Sequence, residues 1–312
     1  MSRMKVIAVV GPTASGKTAL AVQLARMLGG EVIGADSMQI YRGMPVATAA
    51  PTAQECMGVP YHLVGFLPQT AAFSAADFSR LAAEKVTEIT ARGHVPILAG
   101  GTGLFIDSFL KNIVFSPVQA DAQLRARLAG QDKETLYETL RRIDPQAAEK
   151  IHPNNVRRVI RALEMYYTSG ETKSALDARA AAQPSPYSPC YIGIDYRDRR
   201  RLYARIDRRV DEMAANGLVE EARRVLASPA KTSAQAIGHK ELAPYFSGEI
   251  TLEAALENIR RETRRYAKRQ QTWFRRNAGI HWFYADDYAD VAELYRAAGA
   301  TAKEFLNEKE TD

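Results

Sequence analysis

The stretch KVIAVVGPTASGKT, residues 5–18, constrains the fold more than any other part of the chain. A short apolar run ends in Gly11, Pro12, Thr13, Ala14, Ser15, Gly16, Lys17 and Thr18, which fits GxxxxGK[ST] at every required position. ALAVQLARML follows with helical apolar spacing and stops at Gly29-Gly30. Strand, glycine loop and helix in this order make a phosphate cradle. The glycines let the backbone wrap an anion, and amide N–H groups converge at a helix N-terminus. Lys17 adds a full positive charge, and Thr18 offers a hydroxyl to Mg2+. Such a loop specifies a terminal di- or triphosphate, as in ATP-binding and other nucleotide-binding proteins. It does not specify the chemistry.

The next segments extend the pattern. EVIGADS (31–37) reads as a second strand, and residues 73–93 as a helix with Ser74 as N-cap and Gly93 as stop. HVPILAGGTG (94–103) reads as a third strand running into glycines. Strands alternating with helices predict a doubly wound parallel sheet, an α/β fold. From about Asp121 to Ala182 the spacing is helical throughout. QPSPYSPC (183–190) reads as a proline-rich connector, and YIGIDY (191–196) as a return to the sheet. The expected organisation is a P-loop α/β core of residues 1–120 and 190–312, with a helical insertion domain at 121–189. Residues 198–277 read as mostly helical.

Composition removes several classes. With 312 residues and 46% apolar content, the chain can bury a core without staples. No apolar run approaches the length of a membrane span. The opening residues do not read as a signal peptide, because the apolar stretch is short and a glycine loop follows it. Cys56 and Cys190 form no CxxC pattern, and the five histidines form no metal-binding pair. Two reduced thiols in a cytoplasmic protein are expected.

Nucleotide hydrolases of this type hold Mg2+ with an aspartate at the end of another apolar strand. Here the strand at 95–99 runs into Gly100, Gly101 and Thr102, with no carboxylate. Asp36 ends the second strand instead. Ligands of open α/β sheets sit at the carboxyl ends of strands, so Asp36, Thr102 and the phosphate loop should share one crevice. Asp36 can be a general base, a Mg2+ ligand or a cap on the next turn. Thr102 can bond a phosphate oxygen or serve only as a turn residue.

Formal net charge is +6, and its distribution tells more than its size. Arg157, Arg158 and Arg161 form one cluster. RDRRRLYARIDRRVDEM (197–213) forms a second, with a buried stripe of Leu202, Ile206, Val210 and Met213 and with Arg205 and Arg209 on a neighbouring face. NIRRETRRYAKRQQTWFRRN (258–277) is the most basic and interleaves Tyr266, Trp273 and Phe274 with arginines. Arginines for phosphates with aromatics for bases is the pattern of RNA contact, against which stands a solvated helix face.

Residue chemistry alone ends there. The sequence resembles the tRNA dimethylallyltransferases, also called tRNA isopentenyltransferases, of the bacterial type. The resemblance rests on GPTASGKT (11–18), DSMQIYRGM (36–44), GGTGLF (100–105), HPNNVRRVIRALE (152–164), RIDRRVDEM (205–213), QAIGHKE (235–241) and AKRQQTWFR (267–275). Where the family reads close to DIGTAKP, this chain has VATAAP (46–51), with Ala50 in place of the lysine.

The resemblance implies transfer of the dimethylallyl group of dimethylallyl diphosphate to the exocyclic amine of the adenine 3′ of the anticodon. Pyrophosphate is released, and the tRNAs modified are those reading codons that start with U. It also implies roles. The loop amides, Lys17, and Mg2+ at Thr18 would hold the departing pyrophosphate, with Arg209, or failing it Arg205, as a fork. Thr102 would bond the oxygen bridging carbon and phosphorus, and Asp36 would take the amine proton. Contact with tRNA is implied for Asp36, Ser37, Met38, Gln39, Thr102 and Arg125, for Arg157, Arg158, Val159, Ile160 and Arg161, and for Lys268, Arg269, Gln270, Gln271, Thr272, Trp273, Phe274 and Arg275. Insertion and core would clamp the anticodon arm of one tRNA, which needs only a monomer. The rival readings are a small-molecule P-loop kinase, a free-adenylate isopentenyltransferase and a non-enzymatic RNA-binding protein.

Overall fold

The computed structural model describes residues 3–113, 121–181, 183–227 and 232–308. In chain order the first part contains β1 (Met4–Val10), α1 (Lys17–Leu28), β2 (Gly30–Gly34), α2 (Pro45–Thr48), α3 (Ala53–Cys56), β3 (Tyr61–His62), α4 (Ala75–Ala91), β4 (Val95–Gly100) and α5 (Gly103–Leu110). Five helices follow: α6 (Ala122–Ala129), α7 (Lys133–Ile143), α8 (Pro145–Lys150), α9 (Val156–Ser169) and α10 (Lys173–Ala181). The chain continues with β5 (Tyr187–Asp195), α11 (Arg199–Ala215), α12 (Leu218–Leu226), α13 (Ala243–Phe246), α14 (Leu252–Phe274), β6 (Ile280–Tyr284) and α15 (Val291–Asn307).

Two compact units result, one of residues 1–110 with 186–312 and one of residues 111–185. The helical unit thus begins ten residues before the expected 121, and residues 114–120 lie outside the described ones. It ends before 189 because β5 starts at Tyr187, inside the proline-rich stretch. Pro189 is compatible with the strand because β6 joins β5 only from Tyr191 onward, so on that side its missing N–H has no partner strand to serve. In the helical unit Leu124, Leu136, Leu140, Val159 and Leu163 form the core, at helical spacing.

The first unit is built on a six-stranded sheet in the order β3-β2-β4-β1-β5-β6, with every pair parallel. Ile7, Val9, Val32, Ile97, Ile192 and Ile194 face α1 and α15 in one core layer. Phe78 and Phe105, stacked at 4.5 Å between centroids, join α4 to α5, which touch β4 from the other face. Both faces are covered, which is why the strands read as continuous apolar runs rather than alternating ones. Sequence reading missed β3, β6 and α15; β3 has only two residues and carries no periodicity.

Register decides what the carboxyl edge presents. Val10 pairs with Gly100 on one side and Gly193 on the other, so the phosphate loop, the glycine loop after β4 and Asp195 leave the sheet together. β2 stops at Gly34, two residues short of Asp36. Ala35 N–H then bonds the Ala99 carbonyl at 2.8 Å, and Thr102 N–H bonds the Ala35 carbonyl at 3.2 Å. These two bonds lay the Asp36 loop against the Thr102 loop.

Candidate active site

The phosphate loop has the backbone its glycines predict. Gly11 has φ +145°, and a Cβ there would lie 2.2 Å from the Ile194 carbonyl oxygen. Lys17 Nζ donates to the Pro12 carbonyl at 2.6 Å. Arg205 Nε donates to the Ala14 carbonyl at 2.8 Å, so this arginine braces the loop from behind. Arg209, one turn further along α11, lines the cavities in front of it. Of the two arginines, Arg209 is the one that lines both cavities. The Ser15 hydroxyl is buried and has no partner among the described residues.

Two adjoining cavities open at the edge. The smaller, about 50 Å³, is polar and is lined by Lys17, Thr18, Gly100, Gly101, Tyr61 and Gln270. The larger, about 250 Å³, has an apolar wall of Ile206, Val210, Met213, Ile237 and Ile259. Thr13, Asp36, Thr48 and Arg209 line both. Asp36 therefore stands where a polar chamber meets a largely apolar one. Its Oδ1 accepts from Met38 N–H at 2.9 Å and from Gln39 N–H at 3.3 Å. The capping role is thus real, and it uses one carboxylate oxygen; among the described residues no hydrogen bond engages the other.

Electrostatics follow from this enclosure. Burial, reinforced by the Arg209 charge, pushes the Lys17 ammonium down to about 7 against the opposing pull of Asp36 and Asp195. Burial also lowers Arg209, with Asp36 the main opposing charge. The site holds concentrated positive charge that an anion would relieve.

Sequence reasoning passed over Asp195. It ends β5, is fully buried, and accepts from Gln271 Nε2 at 2.9 and 3.0 Å; Arg275 lies 3.6 Å away. Burial raises its pKa, against the Tyr196 N–H, Gln271, Arg275 and Lys17. The signal that singled out Asp36, an acid closing an apolar strand, was present in YIGIDY as well. Also unforeseen was a buried pair, Glu221 with His239 at 2.9 Å. Glu221 further accepts the N–H groups of Val46 and Ala47 at 2.8 and 2.9 Å and so fixes α2, whose Ala47 and Thr48 wall the larger cavity.

The residues expected at RNA divide. Lys268, Arg269, Thr272 and Arg275 on and just after α14 are exposed, and Ser37, Met38 and Gln39 are half-buried. Met38 and Ser37 line the larger cavity, whereas Gln39 Nε2 is spent on the Thr48 and Ala49 carbonyls at 3.1 Å each. Gln270 and Phe274, each 4% exposed, are turned into the protein, contrary to expectation. Trp273 is half-buried and donates Nε1–H to Asp107 at 2.8 Å. Thr102 Oγ1 accepts from Ser37 N–H at 3.0 Å. In the helical unit Arg125, Arg157 and Arg158 are exposed and Ile160 half-buried. Val159 is fully buried in that unit's core, which removes its side chain from any RNA contact. Arg125 and Arg161 both pair with the buried Glu164, at 2.8 and 2.6 Å.

The family model described as IPP transferase matches residues 39–277. The tRNA dimethylallyltransferase of Thermoanaerobacter sp. (strain X514) is 44% identical over 93% of this chain and 95% of its own. That of Halalkalibacterium halodurans is 45% identical over 92% of each chain. Among solved structures, the full-length tRNA isopentenylpyrophosphate transferase from Bacillus halodurans superposes with TM-score 0.72 at 42% identity, covering 97% of this chain and 98% of that one. A eukaryotic dimethylallyltransferase acting on tRNA superposes with TM-score 0.84 at 27% identity, over 99% of this chain and 81% of that one.

Proposed function

The chain belongs to the IPP transferase family, the tRNA dimethylallyltransferases, and from that premise we propose how its own residues carry out the transfer. The donor is dimethylallyl diphosphate. Its diphosphate occupies the Gly11–Thr18 loop, and its hydrocarbon enters the larger cavity beside Ile206, Val210 and Ile259. The observation that carries this reading is the junction of the two cavities at Asp36 and Arg209. An amphiphilic donor, charged at one end and apolar at the other, matches that junction, its hydrocarbon meeting Ile206, Val210 and Ile259.

In the reaction the bond between C1 and the bridging oxygen breaks, and a bond from C1 to the exocyclic N6 of adenine forms. Pyrophosphate leaves, and the amine proton goes to Asp36. Lys17, Arg209 and the loop amides stabilise the charge that grows on the leaving group. Thr102 bonds the bridging oxygen. The aromatic amine is a poor nucleophile, because its lone pair is delocalised, so a carboxylate placed at its N–H is worth a large factor.

The Thr18 hydroxyl on the polar chamber, together with diphosphate oxygens and water, is the hard oxygen set that suits Mg2+. Bound there, Mg2+ would neutralise charge on the pyrophosphate. Among the described residues no cluster of three His, Cys, Asp or Glu side chains forms a separate metal cage, so the ion would depend on the donor for its ligands.

The acceptor is the unpaired adenine 3′ of the anticodon, at position 37, in tRNAs reading codons that start with U. An unpaired loop base leaves its stack for a few kcal/mol. The exposed Lys268, Arg269 and Arg275, and separately Arg125, Arg157 and Arg158, would take the phosphates of the anticodon stem-loop. No described helix is long and apolar enough to cross a membrane. The cytoplasm, where tRNA is found, is the expected site of action, and one chain suffices for one tRNA.

The test is incubation with Mg2+, labelled dimethylallyl diphosphate, and either unmodified tRNA or AMP. Label on tRNA at the adenine beside the anticodon is expected. Label on AMP alone would move the activity to free nucleotides.

A further inference from the structure

Gly101 and Gly103 flank Thr102, and both lie under one face of α14. A Cβ on Gly101 would come within 2.1 Å of Gln270 Nε2, and one on Gly103 within 2.2 Å of the Trp273 ring. Gln270 and Trp273 are three residues apart on the helix, hence side by side. The Gln270 amide is satisfied at both ends. Its Nε2 donates to the Gly101 carbonyl at 2.9 Å, and its Oε1 accepts from Thr13 N–H at 2.8 Å. One buried side chain therefore spans the diphosphate loop and the loop that carries Thr102. Trp273 Nε1–H, on Asp107, fastens the same helix face to α5. Tyr266, one turn before Gln270, stands with Asp36 in the lining of the larger cavity.

We propose that Gln270 is a positioning residue for the donor end of the reaction: it sets the spacing between Thr13 and Gly101, and so holds Thr102 against the bound diphosphate. Its place within AKRQQTWFR reflects this bridge rather than contact with RNA. The glycines around Thr102 are the other half of the device, since only residues without Cβ let Gln270 and Trp273 come so close. The inference rests on assigning the Gly11–Thr18 loop to the donor diphosphate.

The experiment uses Gln270→Met, which keeps length and loses both hydrogen bonds. Expected are about a tenfold rise in the donor KM and about a tenfold fall in kcat, with the tRNA Kd changed less than about twofold. Gly101→Ala, which evicts the amide from the opposite side, should reproduce this split even if Gln270→Met folds poorly. A weaker tRNA Kd with unchanged donor kinetics would make Gln270 an RNA contact and overturn the proposal. So would two folded variants with unaltered kinetics. Calorimetric binding of inorganic pyrophosphate to the wild-type protein separates the donor assignment from the role of Gln270. Absence of binding removes the donor assignment and this proposal with it, whereas wild-type binding with unaltered variants removes the proposal alone.

Discussion

Lys17 carries the charge balance of the site. Its pKa, depressed to about 7 by burial and by Arg209, leaves it with fewer protons than an unfolded lysine between pH 7 and about 10. In that window the unfolded state binds more protons, so this group's contribution to stability rises as pH climbs. Diphosphate binding reverses the bias, because an anion restores the ammonium. Pyrophosphate binding near pH 8 should therefore take up protons, which calorimetry in buffers of different ionisation enthalpy will show. Lys17→Arg, permanently charged, should bind with less uptake. At Asp36 the appropriate substitution is Asn, whose oxygen can still cap the turn at Met38 and Gln39. Turnover should fall by about 10²–10⁴ while tRNA binding persists, read by single-turnover kinetics beside a binding assay. Unchanged turnover would leave Asp36 as a cap only. The acid following a strand was legible for Asp36, and so was a cap as one of its possible roles; that the Met38 and Gln39 amides take one carboxylate oxygen was not, because they are placed by a turn and not by a pattern.

Among the elements, α14 best shows how sequence reading both succeeds and falls short. Its basic composition suggested one RNA-facing surface, but helix packing sorts the charges. Arg260 and Arg264 pair with Asp211 and Asp207 of α11 at 2.6 and 2.7 Å, so they join two helices instead of meeting a ligand. Exposed charge remains at Lys268 and Arg269, the latter stacked over Tyr266 at 5.7 Å. Replacing both with alanine should weaken tRNA binding and reduce the salt slope by about one per lost phosphate contact, measured by titration across salt concentrations. A salt slope identical to wild type would return this stretch to a solvated face. The buried stripe of α11 was readable, since Leu202, Ile206 and Val210 recur at helical spacing and are all buried. That Met213, next in the stripe, stays half-buried, and that it walls the larger cavity together with Ile206 and Val210, depends on α11's neighbours.

At the scale of the whole molecule, the sheet separates chemistry from anchoring. The carboxyl edge holds the site, and the opposite end holds a buried carboxylate, Glu31 at the start of β2. It is bonded by Arg92 at 2.8 Å, His62 at 2.6 Å and His94 at 2.8 Å. Burial opposes its charge, yet Arg92 and the two imidazoles hold its pKa down to about 2. A carboxylate depressed from 4.5 contributes stability that is complete above that value and is lost as pH falls toward 2. Glu31→Gln should cost about 2 kcal/mol at neutral pH, seen in urea unfolding, and the variant should show a flatter loss of stability below pH 4.5. Equal acid sensitivity in variant and wild type would show that the cluster contributes nothing.

By itself the sequence determined the doubly wound sheet and the phosphate loop, because each rests on local spacing: an apolar run, a glycine loop, a 3.6-residue period; the family followed from motifs the chain shares with it. It also placed Asp36 and Thr102 at one edge, since strand ends in a parallel sheet point the same way. Only the tertiary structure decided which arginine faces the cavity, that Asp195 joins the site, and that Gln270 looks inward. Those outcomes depend on how helices far apart in the chain rotate against the sheet, a rotation set by packing between residues some two hundred and fifty positions apart, as Thr13 and Gln270 are, which no local pattern records.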